Sequence, residues 1–318
     1  MRAVWLREFG APEVLTLGEA PDPVAGPGQV VVAVEFVNIT FVETQFRATG
    51  AGPFAVTLPM IPGNGVGGVV ASVGPGVAPE LVGTRVITGT GGAGGYAERV
   101  AVDADVVFRV PDEVALDTAV ALLADGRTAT MMTRAAAVQP GERVLVEAAA
   151  GGVGSLIVQL ARAAGARVVA AVGGSRKAEV VTELGAEVVV DYTDGGWPKR
   201  VRDAVGAVDV VFDGVGGEIA RTAFELLDRG GRMVSFGLAS GSWAKIGEDE
   251  AAARDVTLVR PSATPAELRA YTESALTEAA EGRLRPIIGQ RFPLEQAAAA
   301  HAAIQSRATV GKTLLETR

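Results

Sequence analysis

The sequence contains no cysteine and only one histidine, His301. Without a thiol the chain has no disulfide, no thiolate metal site and no cysteine nucleophile. A Ser-His triad or a multi-histidine metal site would have to form around His301 alone. Thiol chemistry is therefore excluded, and histidine chemistry is confined to one residue.

An excess of basic charge is also missing, because 29 Lys and Arg residues stand against 37 Asp and Glu residues and give a formal charge of −8. A nucleic-acid-binding face needs basic charge, so this balance argues against a nucleic-acid partner. No run reaches the roughly 18 consecutive apolar residues of a membrane span. The N-terminal segment MRAVWLREFG lacks the apolar core of a signal peptide. We therefore expect a cytoplasmic protein that binds neither nucleic acid nor a membrane.

Small and apolar residues are abundant: the 318 residues include 41 glycines, 48% are hydrophobic and only 5% are aromatic. This composition predicts an α/β protein with close backbone packing, and the length suits two domains. Up to residue 120, short β-branched runs alternate with Gly and Pro, which is typical of a mainly antiparallel β domain. These runs are QVVVAVEFV (29–37), GVVASVG (68–74), GTRVITGT (83–90) and YAERVAVDADVVFRV (96–110).

The pattern changes near residue 113, where an Ala-, Leu- and Met-rich segment (114–137) predicts a buried helix. Apolar strands then alternate with helices, which predicts a parallel sheet with helices on both faces. The predicted strands are 143–149, 166–172, 187–192, 208–215 and 232–237, and the helices are 153–165, 175–185 and 218–230. Two further helices, around 265–282 and 294–306, precede a strand at 311–317. We expect this tail to return to the first domain, which gives domains of 1–122 with 262–318, and 123–261.

One glycine-rich motif lies between the strand at 143–149 and the helix that follows it. AAAGGVG (148–154) matches G-x-G-x-x-G with alanine first, as Ala149, Gly151 and Gly154. Small residues allow a tight turn and a close approach to a pyrophosphate, and the helix N-terminus offers it free N–H groups. The alternative is a small-residue turn that packs the helix on the sheet. The position inside a βαβ unit favours dinucleotide binding.

The end of the second strand in this unit indicates which dinucleotide binds. NAD sites place an acidic residue there, on the ribose 2′-hydroxyl. Here the strand runs into Gly173 and Gly174, and Ser175, Arg176 and Lys177 follow. A hydroxyl and two cations at a helix start suit a 2′-phosphate, so NADPH is the predicted cofactor. The alternative is a solvated helix N-terminus with an ordinary serine cap.

Several segments together resemble the zinc-independent quinone oxidoreductases, the zeta-crystallin-like branch of the medium-chain dehydrogenase/reductase superfamily. They are IPGNGVGGVVASVG (61–74), GGYAERVAV (94–102), VLVEAAAGGVGSLIVQLARAAGA (144–166), VFDGVGG (211–217), SFGLASG (235–241) and SRATVGKTLL (306–315). The resemblance covers nearly the whole chain. It implies a GroES-like mainly-β catalytic domain, a Rossmann-fold dinucleotide-binding domain, NADPH as cofactor and a homodimer.

The resemblance also implies roles for residues that match the family's motifs. It places Thr128 near the nicotinamide and Arg307 near the 2′-phosphate. Further cofactor contacts are implied for the pyrophosphate (Gly151, Gly152, Val153), for the adenosine phosphate end (Lys177, Tyr192) and for the nicotinamide ribose (Phe236, Leu238). Val215 and Gly237, in two of the matching motifs, complete this set. Ser175 and Arg176 are added from charge and position alone.

A substrate pocket is implied for the segment TFVETQFRATG (40–50). Family members often carry Asn at its start and Tyr before the Arg and after the Gly, but this chain has Thr40, Gln45 and Gly52 there. Thr40, Gln45 and Arg47 are the predicted substrate contacts, and Thr40 and Gln45 suit a carbonyl group. The alternative is that the segment is only pocket wall, with Arg47 in a structural ion pair.

Other polar residues are predicted to be structural. His301 lies in an Ala-rich helix, Tyr96 resembles a structural tyrosine of the family, and Asp213 ends a strand beside the cofactor. The basic residues at 283–291 are expected to be surface charge.

These features favour an NADPH-dependent, zinc-independent quinone reductase, because the resemblance implies hydride transfer and no acid–base residue is demanded. Zinc relatives hold their metal through Cys and His, so the lack of cysteine excludes that site here. The alternative is reduction of the double bond of an enone, enal or enoyl thioester, for which a positioned proton donor would help. A third possibility is an NADPH-binding protein with a regulatory role and no activity.

Overall fold

The computed structural model describes residues 1–52 and 57–318, and these form two compact units. Unit 1 comprises Met1–Ala124 and Leu276–Arg318, and unit 2 comprises Asp125–Ala275. Each unit has its own hydrophobic core. No helix of the described ranges is long and apolar enough to span a membrane.

Unit 1 begins with short strands that are rich in valine. Its first elements are β1 (Arg2–Leu6), β2 (Leu15–Glu19), β3 (Gln29–Ile39), α1 (Phe41–Thr49), β4 (Gly65–Val73), β5 (Arg85–Gly89), β6 (Arg99–Asp103) and β7 (Val107–Arg109). The single strand predicted at 96–110 is two strands, separated by a 3-10 turn at Ala104–Val106. Helix α1 was not predicted, and it occupies most of the segment 40–50. Helix α2 (Leu116–Ala136) follows, as the sequence predicted.

Unit 2 alternates strands with helices as the apolar runs predict. Its elements are β8 (Arg143–Glu147), α3 (Gly152–Ala163), β9 (Arg167–Val172), α4 (Ser175–Glu183), β10 (Val188–Asp191), α5 (Trp197–Val205), β11 (Val208–Asp213), α6 (Gly217–Glu225), β12 (Leu227–Ser235), α7 (Glu248–Ala253) and β13 (Thr257–Val259), followed by α8 (Pro265–Ala280), whose residues up to Ala275 belong to this unit. All neighbouring strands are parallel, in the order β10-β9-β8-β11-β12-β13. The order reverses between β8 and β11, where parallel sheets bind ligands at the carboxyl ends of their strands.

The tail adds β14 (Ile288–Pro293), α9 (Ala297–Gln305) and β15 (Lys312–Glu316) to unit 1. Strand β15 pairs antiparallel with β3 and parallel with β14, and the seven-stranded sheet follows the order β14-β15-β3-β4-β5-β7, with β6 also paired to β3. The α/β fold class predicted from the alternating pattern is confirmed.

The helix predicted at 218–230 is wrong at its C-terminal end. Helix α6 ends at Glu225, and β12 begins two residues later because Leu227 pairs with Val208 of the sheet. The ladder shifts before Arg232, and Gly230 there has a φ of 76°. Glycine adopts such a left-handed conformation without steric cost, so the strand accommodates the irregularity.

Candidate functional site

The glycine-rich motif forms the turn from β8 into α3. A Cβ on Gly154 would lie 2.3 Å from the Ala148 oxygen and 2.9 Å from the Ala149 Cα, so only glycine fits. A Cβ on Gly152 would lie 2.0 Å from Oδ2 of Asp125. Gly151 is the N-cap of α3, and its N–H donates to the Ala148 oxygen at 2.8 Å. The helix therefore starts close against the end of β8.

This turn can bind an anion. The first N–H groups of α3 have no acceptor within the helix, and the positive end of the helix dipole lies at the same place. Gly151, Gly152 and Val153 are partly exposed there, whereas Ala149 and Gly154 are buried beneath them. Backbone N–H groups at a helix start, with no side chain in the way, are the arrangement that holds phosphates in dinucleotide-binding folds.

The predicted 2′-phosphate residues lie where β9 turns into α4. Gly174 is the N-cap, with a φ of 100°, and Ser175 is the first residue of the helix. The alternative in which Ser175 caps the helix is therefore wrong, because the cap position is one residue earlier. Ser175 and Arg176 are exposed, and their side chains make no hydrogen bond or ion pair with residues 1–52 or 57–318. Lys177 is half-buried in the first turn.

An acidic residue that sequence reasoning missed holds this turn in place. Asp191, at the end of β10, accepts hydrogen bonds through Oδ1 from the Gly174 N–H (3.1 Å), the Thr193 N–H (2.9 Å) and the Thr193 hydroxyl (2.7 Å). Burial alone would raise the pKa of Asp191, but these hydrogen bonds lower it below its usual value. The nearby Tyr192 hydroxyl lies 3.0 Å from where a Cβ on Gly173 would be. An aspartate at the carboxyl end of an apolar strand was the available signal.

A third turn follows β11. Asp213 is completely buried and accepts hydrogen bonds from the Val215 N–H (3.0 Å), the Gly216 N–H (2.7 Å) and the Ser235 hydroxyl (2.8 Å). Val215 is 1% exposed. Asp213 thus shapes the turn at 213–217, in agreement with its predicted role at a strand end.

The loop after β12 packs against that turn. The Phe236 N–H donates to the Asp213 oxygen at 2.8 Å, and the Ser240 N–H donates to the Val215 oxygen at 2.7 Å. The Phe236 ring covers Gly214, where a Cβ would lie 2.6 Å from the ring. Phe236, Gly237 and Leu238 are half-buried. The turn that carries Val215 and the loop that carries the predicted nicotinamide-ribose contacts therefore form one hydrogen-bonded structure.

Two predicted cofactor contacts lie elsewhere. Thr128 is half-buried in α2 and belongs to unit 2, with the three turns described above. Arg307 belongs to unit 1, where it follows α9 in an exposed position with a φ of 57°.

The predicted substrate residues lie in and beside α1 of unit 1. The Glu43 carboxylate accepts hydrogen bonds from the Thr40 N–H (2.7 Å) and the Thr40 hydroxyl (2.8 Å). Arg47 is 1% exposed and donates to the backbone oxygens of Gly10 and Thr44. Burial lowers the pKa of Arg47. The half-buried Gln45 differs from both, because its side-chain amide makes no hydrogen bond with the described residues.

The Thr40-x-x-Glu43 spacing was a signal for this helix that sequence reasoning did not use. Thr or Ser followed three residues later by Glu often marks a helix start, where the Glu accepts a bond from the first backbone N–H. Glu43 also accepts a hydrogen bond from the Asn64 N–H at 3.1 Å. Burial raises the pKa of Glu43, whereas the Thr40 hydrogen bonds oppose that shift. Asn38, two residues before Thr40, is 1% exposed and both of its amide atoms lack partners among the described residues.

His301 lies in the core of unit 1 and is 1% exposed. Its Nε2 lies 2.7 Å from the Tyr96 hydroxyl, and the two rings meet edge to face. Burial lowers the pKa of His301 to about 3, and the Arg47 charge acts in the same direction. His301 is therefore neutral, and it packs as the sequence predicted. Within the described residues no group of three or more His, Asp or Glu side chains could hold a metal ion.

Replacing His301 with Gln is expected to reduce the loss of folding stability that accompanies a fall in pH. The unfolded imidazole titrates near pH 6.5, so the unfolded chain binds a proton below that pH that the native fold excludes. The associated stability is complete above pH 6.5 and is lost as the pH falls toward 3, by up to about 1.4 kcal/mol per pH unit. Urea unfolding of both proteins between pH 5 and 7 measures the slopes. Parallel slopes would show that the buried imidazole does not titrate as the burial implies.

Comparison with known protein families gives one match within each unit. The family model "Alcohol dehydrogenase GroES-like domain" matches residues 26–112, and "Zinc-binding dehydrogenase" matches residues 152–273. These matches confirm the predicted fold class of a GroES-like domain with a Rossmann-like domain. The residues described above do not fit the metal in the second name, because the chain has no cysteine and its one histidine is buried against Tyr96.

Relatives of the whole chain are of similar length. A probable quinone oxidoreductase from Schizosaccharomyces pombe is 35% identical, over 98% of this chain and 96% of its own length. A 2-haloacrylate reductase from a Burkholderia species is 30% identical, over 98% of both chains. Among solved structures, the quinone oxidoreductase of Thermus thermophilus, whose complex with NADPH is also described, is 35% identical with a TM-score of 0.82. That match covers 99% of this chain and 100% of the other.

Proposed function

We propose that this chain reduces quinones with NADPH and without zinc. The premise is its family: it belongs to the quinone oxidoreductase branch of the medium-chain dehydrogenase/reductase superfamily. The observation that carries the cofactor assignment is the exposed pair Ser175 and Arg176, whose side chains lack partners among the described residues. A cation and a hydroxyl at a helix start are available for a 2′-phosphate.

The chain's own residues bind and orient the cofactor. The N–H groups at the start of α3 receive the pyrophosphate, and Gly154 lets them come close. Ser175, Arg176 and Lys177 receive the 2′-phosphate, while Asp191 fixes the Gly174 backbone before them. Tyr192 is proposed to help at the same end, and the role of Arg307, which belongs to unit 1, stays a prediction of the family resemblance. Thr128, Val215 and the loop from Phe236 to Leu238 border the nicotinamide.

Bound NADPH supplies a hydride and a quinone accepts it. The balance is quinone, NADPH and one proton giving hydroquinone and NADP⁺: the hydride brings one hydrogen and both electrons, and water supplies the single proton. No acid–base side chain is required, so positioning supplies the rate. The side chains of α1 agree with a mechanism that needs no acid–base group, because Arg47 is buried and the Thr40 hydroxyl donates to Glu43.

Of the three predicted substrate residues, we propose Gln45 as the one that contacts the carbonyl group, with Thr40 and Arg47 holding α1 in place.

A second candidate is reduction of a conjugated carbon–carbon double bond. The relative named 2-haloacrylate reductase favours it, as does the uncommitted amide of Gln45, which can donate a hydrogen bond to an enone carbonyl. That reaction places a hydride on the β-carbon and a proton on the α-carbon, so it gains from a positioned acid. A cytoplasmic location remains a prediction from the sequence, and a homodimer remains a prediction from the family resemblance.

Turnover of chelator-treated protein is expected with NADPH and a small para-quinone, at a rate well above that with NADH. The absorbance of reduced nicotinamide reports the rate, and a matched enone of similar size serves as the second acceptor. Turnover on the enone alone would select the double-bond reductase. Loss of activity on chelation, restored by zinc, would contradict the metal-free mechanism. Tight NADPH binding without turnover on either acceptor would contradict both proposals.

A further inference from the structure

Two buried carboxyl groups face each other at the point where the strand order of unit 2 reverses. Glu147 is the last residue of β8 and Asp213 the last residue of β11, and the register pairs Phe212 with Val146 just before them. Both side chains are completely buried. Two neighbouring carboxylates without solvent repel each other strongly, so one of them is expected to hold a proton.

The two carboxyl groups differ in the hydrogen bonds that they accept. Asp213 accepts from three donors, two backbone N–H groups and the Ser235 hydroxyl, which suits a carboxylate. Glu147 accepts only from the Val215 N–H, through Oε2 at 3.3 Å, and its buried Oε1 has no partner among the described residues. A protonated Glu147 can donate a hydrogen bond to the neighbouring Asp213 carboxylate, whereas an ionised Glu147 cannot.

The surroundings of Glu147 agree with that assignment. Burial raises the pKa of Glu147 well above its usual value, and the neighbouring Asp213 charge and hydrogen bond raise it further. On the other side, β9 presents Ala171, which carries no charge. From α2 the carboxylate of Asp125 lies against Gly152. The described residues direct no cation at Glu147 that would stabilise its ionised form.

We propose that Glu147 is a positioning residue for the cofactor: as a neutral carboxylic acid it donates a hydrogen bond to Asp213 and so fixes the turn at 213–217. Loss of the Glu147 proton to solvent leaves two adjacent buried anions that compete for the Val215 N–H. The turn then loosens, together with the Phe236 loop that is hydrogen-bonded to it. This inference rests on the proposed function, because the turn at 213–217 is assigned there to the nicotinamide side of the cofactor.

The protonation of Glu147 is tested by unfolding the protein without cofactor at different pH values. An unfolded glutamate ionises near pH 4.3, whereas native Glu147 stays protonated, so stability falls as the pH rises from there toward the raised native pKa. Above that pH, and as long as native Glu147 keeps its proton, the unfolding constant of the wild type is expected to rise by up to about tenfold per pH unit relative to Glu147→Gln. Glu183→Gln, on the exposed face of α4, controls for the loss of one carboxyl group. Parallel profiles of the wild type and Glu147→Gln would overturn the proposal.

The positioning role is tested by NADPH binding at pH 7. Gln can donate to Asp213 and accept from the Val215 N–H, whereas Ala can do neither. Glu147→Ala is therefore expected to bind NADPH about tenfold more weakly than Glu147→Gln. Binding by the wild type is expected to weaken as the pH rises and Glu147 loses its proton, and binding by Glu147→Gln to stay level.

Equal affinity of the Ala and Gln variants, or the same pH dependence in wild type and Glu147→Gln, would overturn the positioning role. Absence of NADPH binding in the wild type would instead remove the proposed function. The unfolding measurement still decides in that case whether Glu147 holds a proton.

Discussion

Replacing Arg176 with Ala is expected to weaken NADPH binding by roughly 10- to 150-fold, the range for a hydrogen bond to a charged group. NADH binding is expected to change little, because NADH lacks the 2′-phosphate. The reason is geometric: Arg176 is exposed in the first turn of α4 and makes no ion pair with the described residues. Its removal therefore costs the fold almost nothing. Titration of protein fluorescence with each nucleotide measures the two affinities.

A matched control is Arg202→Ala, which removes an exposed arginine from α5 of the same unit. It should leave both affinities as they are apart from a small long-range charge effect, which added salt screens. Equal weakening of NADPH and NADH by Arg176→Ala would mean that Arg176 supports the fold of the turn. No change for either nucleotide would place the 2′-phosphate elsewhere.

Replacing Gly154 with Ala is expected to abolish useful cofactor binding, with a loss of at least about 100-fold. The added Cβ would lie 2.3 Å from the Ala148 oxygen and 2.9 Å from the Ala148 carbonyl carbon, both backbone atoms of the turn. Because backbone cannot rotate away as a side chain can, α3 must move off β8. Losing two hydrogen bonds to a charged pyrophosphate, each worth about 1.5–3 kcal/mol, costs at least about 100-fold in affinity, and overpacking itself destabilises by about 1–3 kcal/mol.

The control for Gly154→Ala is Gly195→Ala, because a Cβ on Gly195 meets nothing within 4 Å. NADPH titration and thermal unfolding of both variants separate binding from stability. We expect Gly195→Ala to match the wild type in both. A Gly154→Ala protein that binds NADPH normally would show that the N-terminus of α3 is not the phosphate site.

The parallel sheet could be predicted because its signal is local. Strands β8, β9 and β11 are buried on both faces and so appear as continuous apolar runs. The turn at 148–154 followed from the small residues alone. The boundary of β12 could not be predicted, since Leu227 joins the sheet only through its partner Val208 on another strand. Pairing across a sheet is a tertiary effect that local helix preference does not reveal.

The candidate site was predictable in part for the same reason. Ser175, Arg176 and Lys177 follow the glycine motif at a recognisable spacing. The role of Asp191 could not be predicted, because its carboxylate accepts a hydrogen bond from Gly174, which precedes it by 17 positions and follows the neighbouring strand. Glu147 appeared as one more residue of an apolar strand, and its importance depends on Asp213, which β11 brings beside it. Hydrogen bonds between strand ends require the sheet order, which no single segment contains.

The most direct test of hydride transfer from NADPH is a single-turnover reaction with deuterium at C4 of the nicotinamide. Excess protein is mixed with NADPH labelled on one face or the other, and with a para-quinone, while the absorbance of the reduced nicotinamide is followed. We expect oxidation to be slower for only one of the two labels, because the bound nicotinamide presents one face to the acceptor. Single turnover removes product release from the rate. No loss of absorbance with either label, although NADPH binds, would contradict the account.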